Sequence, residues 1–238
     1  MTTKNILNLR ALLLTSACVL VAGAPLANAT VISFVTPSGS NDSAGDPVNA
    51  KVTFTTGAGT VAITLANNQT GMKDAGQTLS DLLFTISTGQ NSGTVSSSSG
   101  LERNVNSDKT FTDGSTVAAG WVLTTSGASL HLDVLAGTGH AGPAHTILGP
   151  ATGSTYPNAN GSIAGNGPHN PFLDETVTFN INVTGVTAGS TISAATFSFG
   201  TTDGADTING VPAPEPSTLI LAAPGGLALL AMRRRRRT

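Results

Sequence analysis

The chain has 238 residues, with 13 acidic and 11 basic side chains and a formal charge of −2. That near-balance conceals an acidic middle: residues 30–211 carry twelve carboxylates against Lys51, Lys73, Arg103 and Lys109, a formal charge of −8. Such a body argues against nucleic acid as a partner, because phosphates need clustered Lys and Arg. A single cysteine, Cys18, excludes a disulfide framework or a thiolate metal site.

The first 29 residues read as an export address. Lys4 and Arg10 give a positive start, an apolar run follows from Ala11 to Ala24, and Ala27-Asn28-Ala29 is a small-x-small cleavage site. This pattern predicts a signal peptide over 1–29, cut by signal peptidase after Ala29. The apolar run is short for a membrane span, and Pro25 interrupts its end. Cys18 lies inside it, so the processed chain would hold no thiol.

Residues 30–211 are long enough for one domain with its own core. Apolar and polar residues alternate with period two in Val52–Thr55, Val61–Leu65, Leu130–Val134, Val177–Thr184 and Ile192–Phe199. Gly57-Ala58-Gly59 divides the first two as a hairpin turn, and Gly185 and Gly189 separate the last two. Thr and Val enrichment supports strands. Only Gln77–Leu83 resembles a helical turn, with Ser80 as its cap, and Gly89–Gly100 reads as a polar loop or exposed edge. The expected fold is all-β, an antiparallel β-sandwich. Phe54, Ile63, Leu65, Phe84, Trp121, Leu132, Phe179, Ile181, Phe197 and Phe199 are expected in its core.

No catalytic or cofactor constellation assembles from spacing. Gly137-Thr138-Gly139-His140-Ala141-Gly142 matches a dinucleotide-binding fingerprint, but Pro143 and the short stretch to Pro150 leave no room for the helix it requires. A glycine-rich turn is the better account. His131, His140, His145 and His169 form no ligand motif. The acidic turns Asp42–Asp46 and Asp203–Asp206 fall short of a calcium loop and read as solvated turns. Asp174-Glu175 is the one adjacent acidic pair and precedes a strand. The expectation is therefore no catalytic residue, no metal and no cofactor. The long stretch Gly137–Pro171 remains a candidate binding loop.

Residues 212–238 form a second address. Pro214-Glu215-Pro216 precedes the apolar stretch Leu219–Met232, and five arginines, Arg233, Arg234, Arg235, Arg236 and Arg237, follow just before the final Thr238. As a helix the apolar stretch would cover about 21 Å, short of a ~30 Å hydrocarbon core. The arginines compensate: five cations cannot cross readily, and their stems can snorkel to the interface. They read as a stop-transfer plug at the end of a C-terminal transmembrane helix.

This order of motif, apolar helix and arginine cluster resembles the PEP-CTERM sorting signal of bacterial exported proteins, also known as the ice-binding protein C-terminal domain. The resemblance covers about 27 residues, from Pro212 to Thr238. It implies cleavage at or near Pro214-Glu215-Pro216 by an exosortase, with the inner membrane as a transient anchor for the precursor. It also implies association with exopolysaccharide or biofilm matrix, at the cell surface or outside the cell. The body resembles the cysteine-free, Ser/Thr/Gly-rich β domains that often precede such tails.

The function expected from these readings is a surface or extracellular-matrix structural protein. The alternative is a secreted glycan- or ice-binding module, using the Gly137–Pro171 loop or Thr-rich strand faces such as Thr53, Thr55, Thr178 and Thr184. A polysaccharide-acting enzyme with Asp174 or Glu175 at its centre comes third.

Overall fold

The structure is a computed structural model and describes residues 29–213. The signal-peptide segment up to Asn28, including Ala27, lies outside the described residues. So does the tail from Pro214, with Glu215, Pro216, the apolar stretch and Arg233–Arg237. Among the described residues, no helix is long and apolar enough to cross a membrane.

The body is all-β. Its first half runs through β1 (Val31–Val35), β2 (Ala50–Gly57), β3 (Thr60–Asn67), β4 (Leu79–Ile86), β5 (Thr94–Val105), β6 (Phe111–Val117) and β7 (Val122–Ser126). The second half adds β8 (Ser129–Asp133), β9 (Ile147–Leu148), β10 (Phe172–Asp174), β11 (Thr176–Asn182), β12 (Ile192–Phe199), β13 (Thr207–Asn209) and β14 (Val211–Pro212). The strands hydrogen-bond in the order β13-β12-β4-β9-β10-β5-β11-β3-β2-β1-β14, with β6 beside β5 and β8 and β7 branching from β4. The sheet is mixed, because β9 and β10 run parallel. The wholly antiparallel arrangement expected from the sequence is corrected there.

Alternation dictates which side chains meet. In β2 and β3, Val52, Phe54, Val61, Ile63 and Leu65 face inward, and the intervening residues face out. In β4 the inward set is Leu82, Phe84 and Ile86. β2 and β4 are far apart in strand order, yet the Phe54 and Phe84 rings lie 5.1 Å apart. Trp121 and Phe179 meet at 5.5 Å. One core cluster therefore draws on both ends of the sheet. All ten expected core side chains are in it. Burial of each is worth roughly 1.5–3 kcal/mol before entropy.

One local expectation is corrected, and another is decided between its alternatives. Gln77–Leu83 is not a helical turn. A short 3-10 turn spans Ala75–Gln77, capped by Asp74, which accepts from the Gly76 N–H. Ser80 is not a cap but a buried residue of β4, where it donates to the Ser198 carbonyl. The inward alternation of Leu82, Phe84 and Ile86 decides the conformation. Of the two alternatives for Gly89–Gly100, loop or exposed edge, the edge holds from Thr94, where β5 begins. Its first half pairs with β11 and its second half with β6 and β10. Gly100, at the change of partners, is buried. A Cβ there would sit 3.0 Å from the Leu173 side chain and 3.3 Å from Val177, so only glycine fits freely.

The stretch from Gly137 to Pro171 has a small core of its own. Tyr156, Ala159 and Ile163 pack with Met72, Val105, Leu148 and Phe172. This packing holds the long connection, which includes β9, against β5 and β10.

Candidate functional site

The outward residues of β1, β2, β3, β11 and β5 form a surface of hydroxyls. Ser33 is opposite Thr53, Thr53 opposite Thr64, Thr64 opposite Thr178, and Thr178 opposite Ser99. Residues paired in this way share a face and lie about 4.8 Å apart across the strands. The neighbouring row runs Val31, Thr55, Ala62, Asn180, Ser97. Rows two residues apart are separated by about 6.8 Å. Thr64, Thr178, Asn180, Ser97 and Ser99 are exposed, and Ser33 and Thr53 are half-buried and share a 2.8 Å hydrogen bond. Lys51 is the one charged outward residue of β1, β2, β3 and β11.

Thr53 and Thr178 were each visible in the sequence as outward strand residues, but on separate strands. The fold joins them through Thr64. That residue was legible in principle, since the tight turn at Ala58-Gly59 fixes the register that brings Thr53 opposite Thr64. Thr184 falls beyond the end of β11 and is not in the row.

Asp174 and Glu175 have different surroundings. Arg103, 6% exposed, engages Asp174 through Nη1 and clamps Asp113 in bidentate fashion, Nε to Oδ1 at 2.6 Å and Nη2 to Oδ2 at 3.0 Å. Nη1 also donates to the Tyr156 hydroxyl at 3.3 Å, and the guanidinium lies 3.8 Å above the Phe111 ring. Burial pushes the Asp174 carboxyl up to about 6 against the pull of Arg103. It pushes the Tyr156 phenol up to about 12. The Tyr156 hydroxyl donates to the Gly149 carbonyl at 3.0 Å. The cluster pins the long connection to β5 and β10. Glu175 sits at φ +44 between β10 and β11, its backbone bonded to Leu148 and Asn67.

The Gly137–Gly142 fingerprint is a turn in which the Ala141 and Gly142 N–H groups donate to Gly120 and Val134 carbonyls, and no helix follows. A ring nitrogen of His140, His145 and His169 hydrogen-bonds to the carbonyl of Val134, Ala119 and Ser162 respectively. His131 differs. It meets Asp81 and Asp203, residues that spacing could not connect to it. The two acidic turns also meet through the fold: the Ser43 N–H donates to Asp206 Oδ1 at 2.9 Å.

Of the predicted processing residues, only Ala29 is described, and it is exposed. Thr30 follows, its N–H and hydroxyl both donating to the Ala188 carbonyl. At the other end the Ala213 N–H donates to the Ser33 carbonyl. The two ends of the described chain thus flank the same strand, β1.

Compared with known protein families, with curated proteins and with solved structures, the chain matches none.

Proposed function

We propose that this chain is an exported bacterial surface or matrix protein whose body contacts neutral polysaccharide through the face built on Ser33, Thr53, Thr64, Thr178 and Ser99. The single observation behind this reading is the registered hydroxyl row across five strands. Hydroxyl and amide groups can both donate and accept, which suits the dense hydroxyls of a sugar chain. The body's charge of −8 disfavours an acidic polymer. In this account the body is an antiparallel β-sandwich apart from the β9–β10 contact. One layer contains β1, β2, β3 and β11, the other β4, β8 and β12. The shared core, with Phe54 against Phe84, supports that arrangement.

The address at each end completes the proposal. Signal peptidase would cut after Ala29, and an exosortase would act at Pro214-Glu215-Pro216 while Arg233–Arg237 hold the precursor in the inner membrane.

Ice is a second reading, favoured by the regular spacing of Thr53, Thr64 and Thr178. It is the weaker one. Sheets twist by about 20–25° per strand, so five strands turn through roughly 80–100° and cannot lie flat on a lattice plane. A flexible glycan can follow the twist.

Affinity electrophoresis of the protein through gels containing dextran, cellulose derivatives or alginate tests the reading. Retardation by a neutral polymer and none by alginate supports it. Free migration through every neutral polymer contradicts it, and thermal hysteresis in ice growth would favour the second reading.

A further inference from the structure

Among the described residues, two acidic groups carry buried carboxylate oxygens with no hydrogen-bond partner, and one of them has no Lys or Arg paired with it. Asp81 on β4 and Asp133 on β8 stand directly opposite each other. They are 2% and 1% exposed. Both oxygens of Asp81 and Oδ2 of Asp133 are buried with no hydrogen-bond partner, while Asp133 Oδ1 accepts from the Leu135 N–H at 2.6 Å. His131 precedes Asp133 by two residues and shares its face of β8. Its Nε2 lies 3.3 Å from Asp81 Oδ2, close enough for charge attraction but outside hydrogen-bond geometry. Asp203, from the loop between β12 and β13, completes the group. One ligand atom each from Asp81, His131 and Asp203 lie within 4.8 Å of one another.

Buried carboxylates persist when they are paired, protonated or bound to a metal. One imidazole cannot satisfy three carboxylates.

We propose that Asp81, His131 and Asp203 bind a divalent transition-metal ion, Zn²⁺ being the best fit, with Asp133 beside them as an additional carboxylate. Imidazole nitrogen with carboxylate oxygen suits zinc, whereas calcium takes oxygen ligands. A tetrahedral zinc site sets its ligand atoms about 3.4 Å apart. Asp203 is exposed and on a loop, so its side chain can close the remaining distance. The ion would clip the β12–β13 loop to β4 and β8, a cross-link that a chain with Cys18 alone cannot make by disulfide.

A second acidic group, Asp42, Asp46 and Asp74, provides the control. There Lys73 pairs with Asp46, Asp42 Oδ1 accepts from the Ala44 and Asp46 N–H groups, and Asp74 Oδ1 accepts from Gly76. Asp42 Oδ2 is buried there without a hydrogen-bond partner, but the Lys73 ammonium brings a full positive charge to the group, which Asp81 and Asp133 lack.

This inference is independent of the polysaccharide reading. The full chain, stripped with chelator, is titrated with Zn²⁺ and with Ca²⁺ by calorimetry, and bound metal is counted by elemental analysis. One Zn²⁺ per chain is expected, with a Tm rise of about 5–10 °C at a hundredfold excess over Kd. His131→Gln and Asp81→Asn should each weaken binding at least about 30-fold, and Asp203→Asn about 10-fold, while Asp42→Asn leaves it unchanged. Asp203→Asn alters an exposed loop residue, so it keeps the test open if Asp81→Asn does not fold. No Zn²⁺ uptake by the native chain, or uptake unchanged by both Asp203→Asn and His131→Gln, would overturn the proposal. Equal Ca²⁺ affinity that is indifferent to His131→Gln would overturn the imidazole ligation.

Discussion

Arg103 on β5 reaches Asp174 on β10 while clamping Asp113 on β6, so one buried cation serves carboxylates from two neighbouring strands. Removing it would leave Asp174 half-buried without a partner and the Tyr156 hydroxyl without its guanidinium donor. Arg103→Ala is therefore expected to cost about 3–5 kcal/mol. Arg103→Lys should recover little of this, because an ammonium cannot reproduce the bidentate fork or the stacking on Phe111. Urea denaturation measures both. A loss below about 1 kcal/mol for Arg103→Ala would contradict the assigned role.

The same cluster sets a pH dependence. Asp174 faces Arg103, Tyr156, Glu175 and Asp113, and burial raises it from 3.8 to about 6. A carboxyl with a folded pKa above its unfolded value holds its proton more tightly in the native state. Its contribution is full below about 3.8 and is lost as pH rises through about 6. Stability should fall between these values. Asp174→Asn should reduce the slope without abolishing it, since Asp133 is also raised to about 6. Urea midpoints at intervals from pH 4 to 7 give the slope, and an identical slope in the variant would refute the assignment.

Gly149 is the most closely approached of the described glycines. A Cβ there would fall 1.9 Å from the Gln69 carbonyl oxygen, a clash with backbone that no rotamer can relieve. Gly149→Ala should destabilise the body by about 3 kcal/mol or more. Gly161→Ala meets nothing within 4 Å and should be near neutral. Thermal melts of the two variants make the comparison.

Strands with one apolar face were legible, as in Phe54 with Val52, or Phe179 with Val177 and Ile181, because burial of that face imposes period two. β5 was not, because from Thr94 to Ser99 it has one apolar residue, Val95, and is a strand because β11 supplies its partners. Tertiary pairing overrides composition there. The hydroxyl row was half legible: outward residues follow from alternation, but a row needs register across five strands. The acidic site was hidden for a different reason. His131 lies 50 residues from Asp81 and 72 from Asp203, and only the β4–β8 pairing and the β12–β13 loop unite them.

If the tail is the sorting signal proposed above, with Arg233–Arg237 as its stop-transfer charge and the apolar stretch as its anchor, its two parts should fail differently. Replacing Arg233–Arg237 with Ser removes the stop-transfer charge from a short, Pro224-interrupted segment. Unprocessed precursor should then leak into the periplasm. Replacing Pro214, Glu215 and Pro216 with Ala leaves the anchor, and full-length protein should accumulate in the inner membrane. Fractionation and intact mass in a bacterial host that processes such tails distinguish these outcomes. Normal release of the Pro-Glu-Pro variant at its usual mass would show that the motif is not read.

The most direct test of the account is the affinity of the Thr64→Glu/Thr178→Glu double variant for the neutral polysaccharide that retards the native protein. Both side chains are exposed and lie at the centre of the row, directly opposite each other. Two adjacent carboxylates repel one another and lack the donor capacity of the hydroxyls they replace. Binding should fall at least about tenfold while the melting temperature drops by only a few degrees. Unchanged retardation by a variant that melts like the native protein would contradict the claim that this face carries the function.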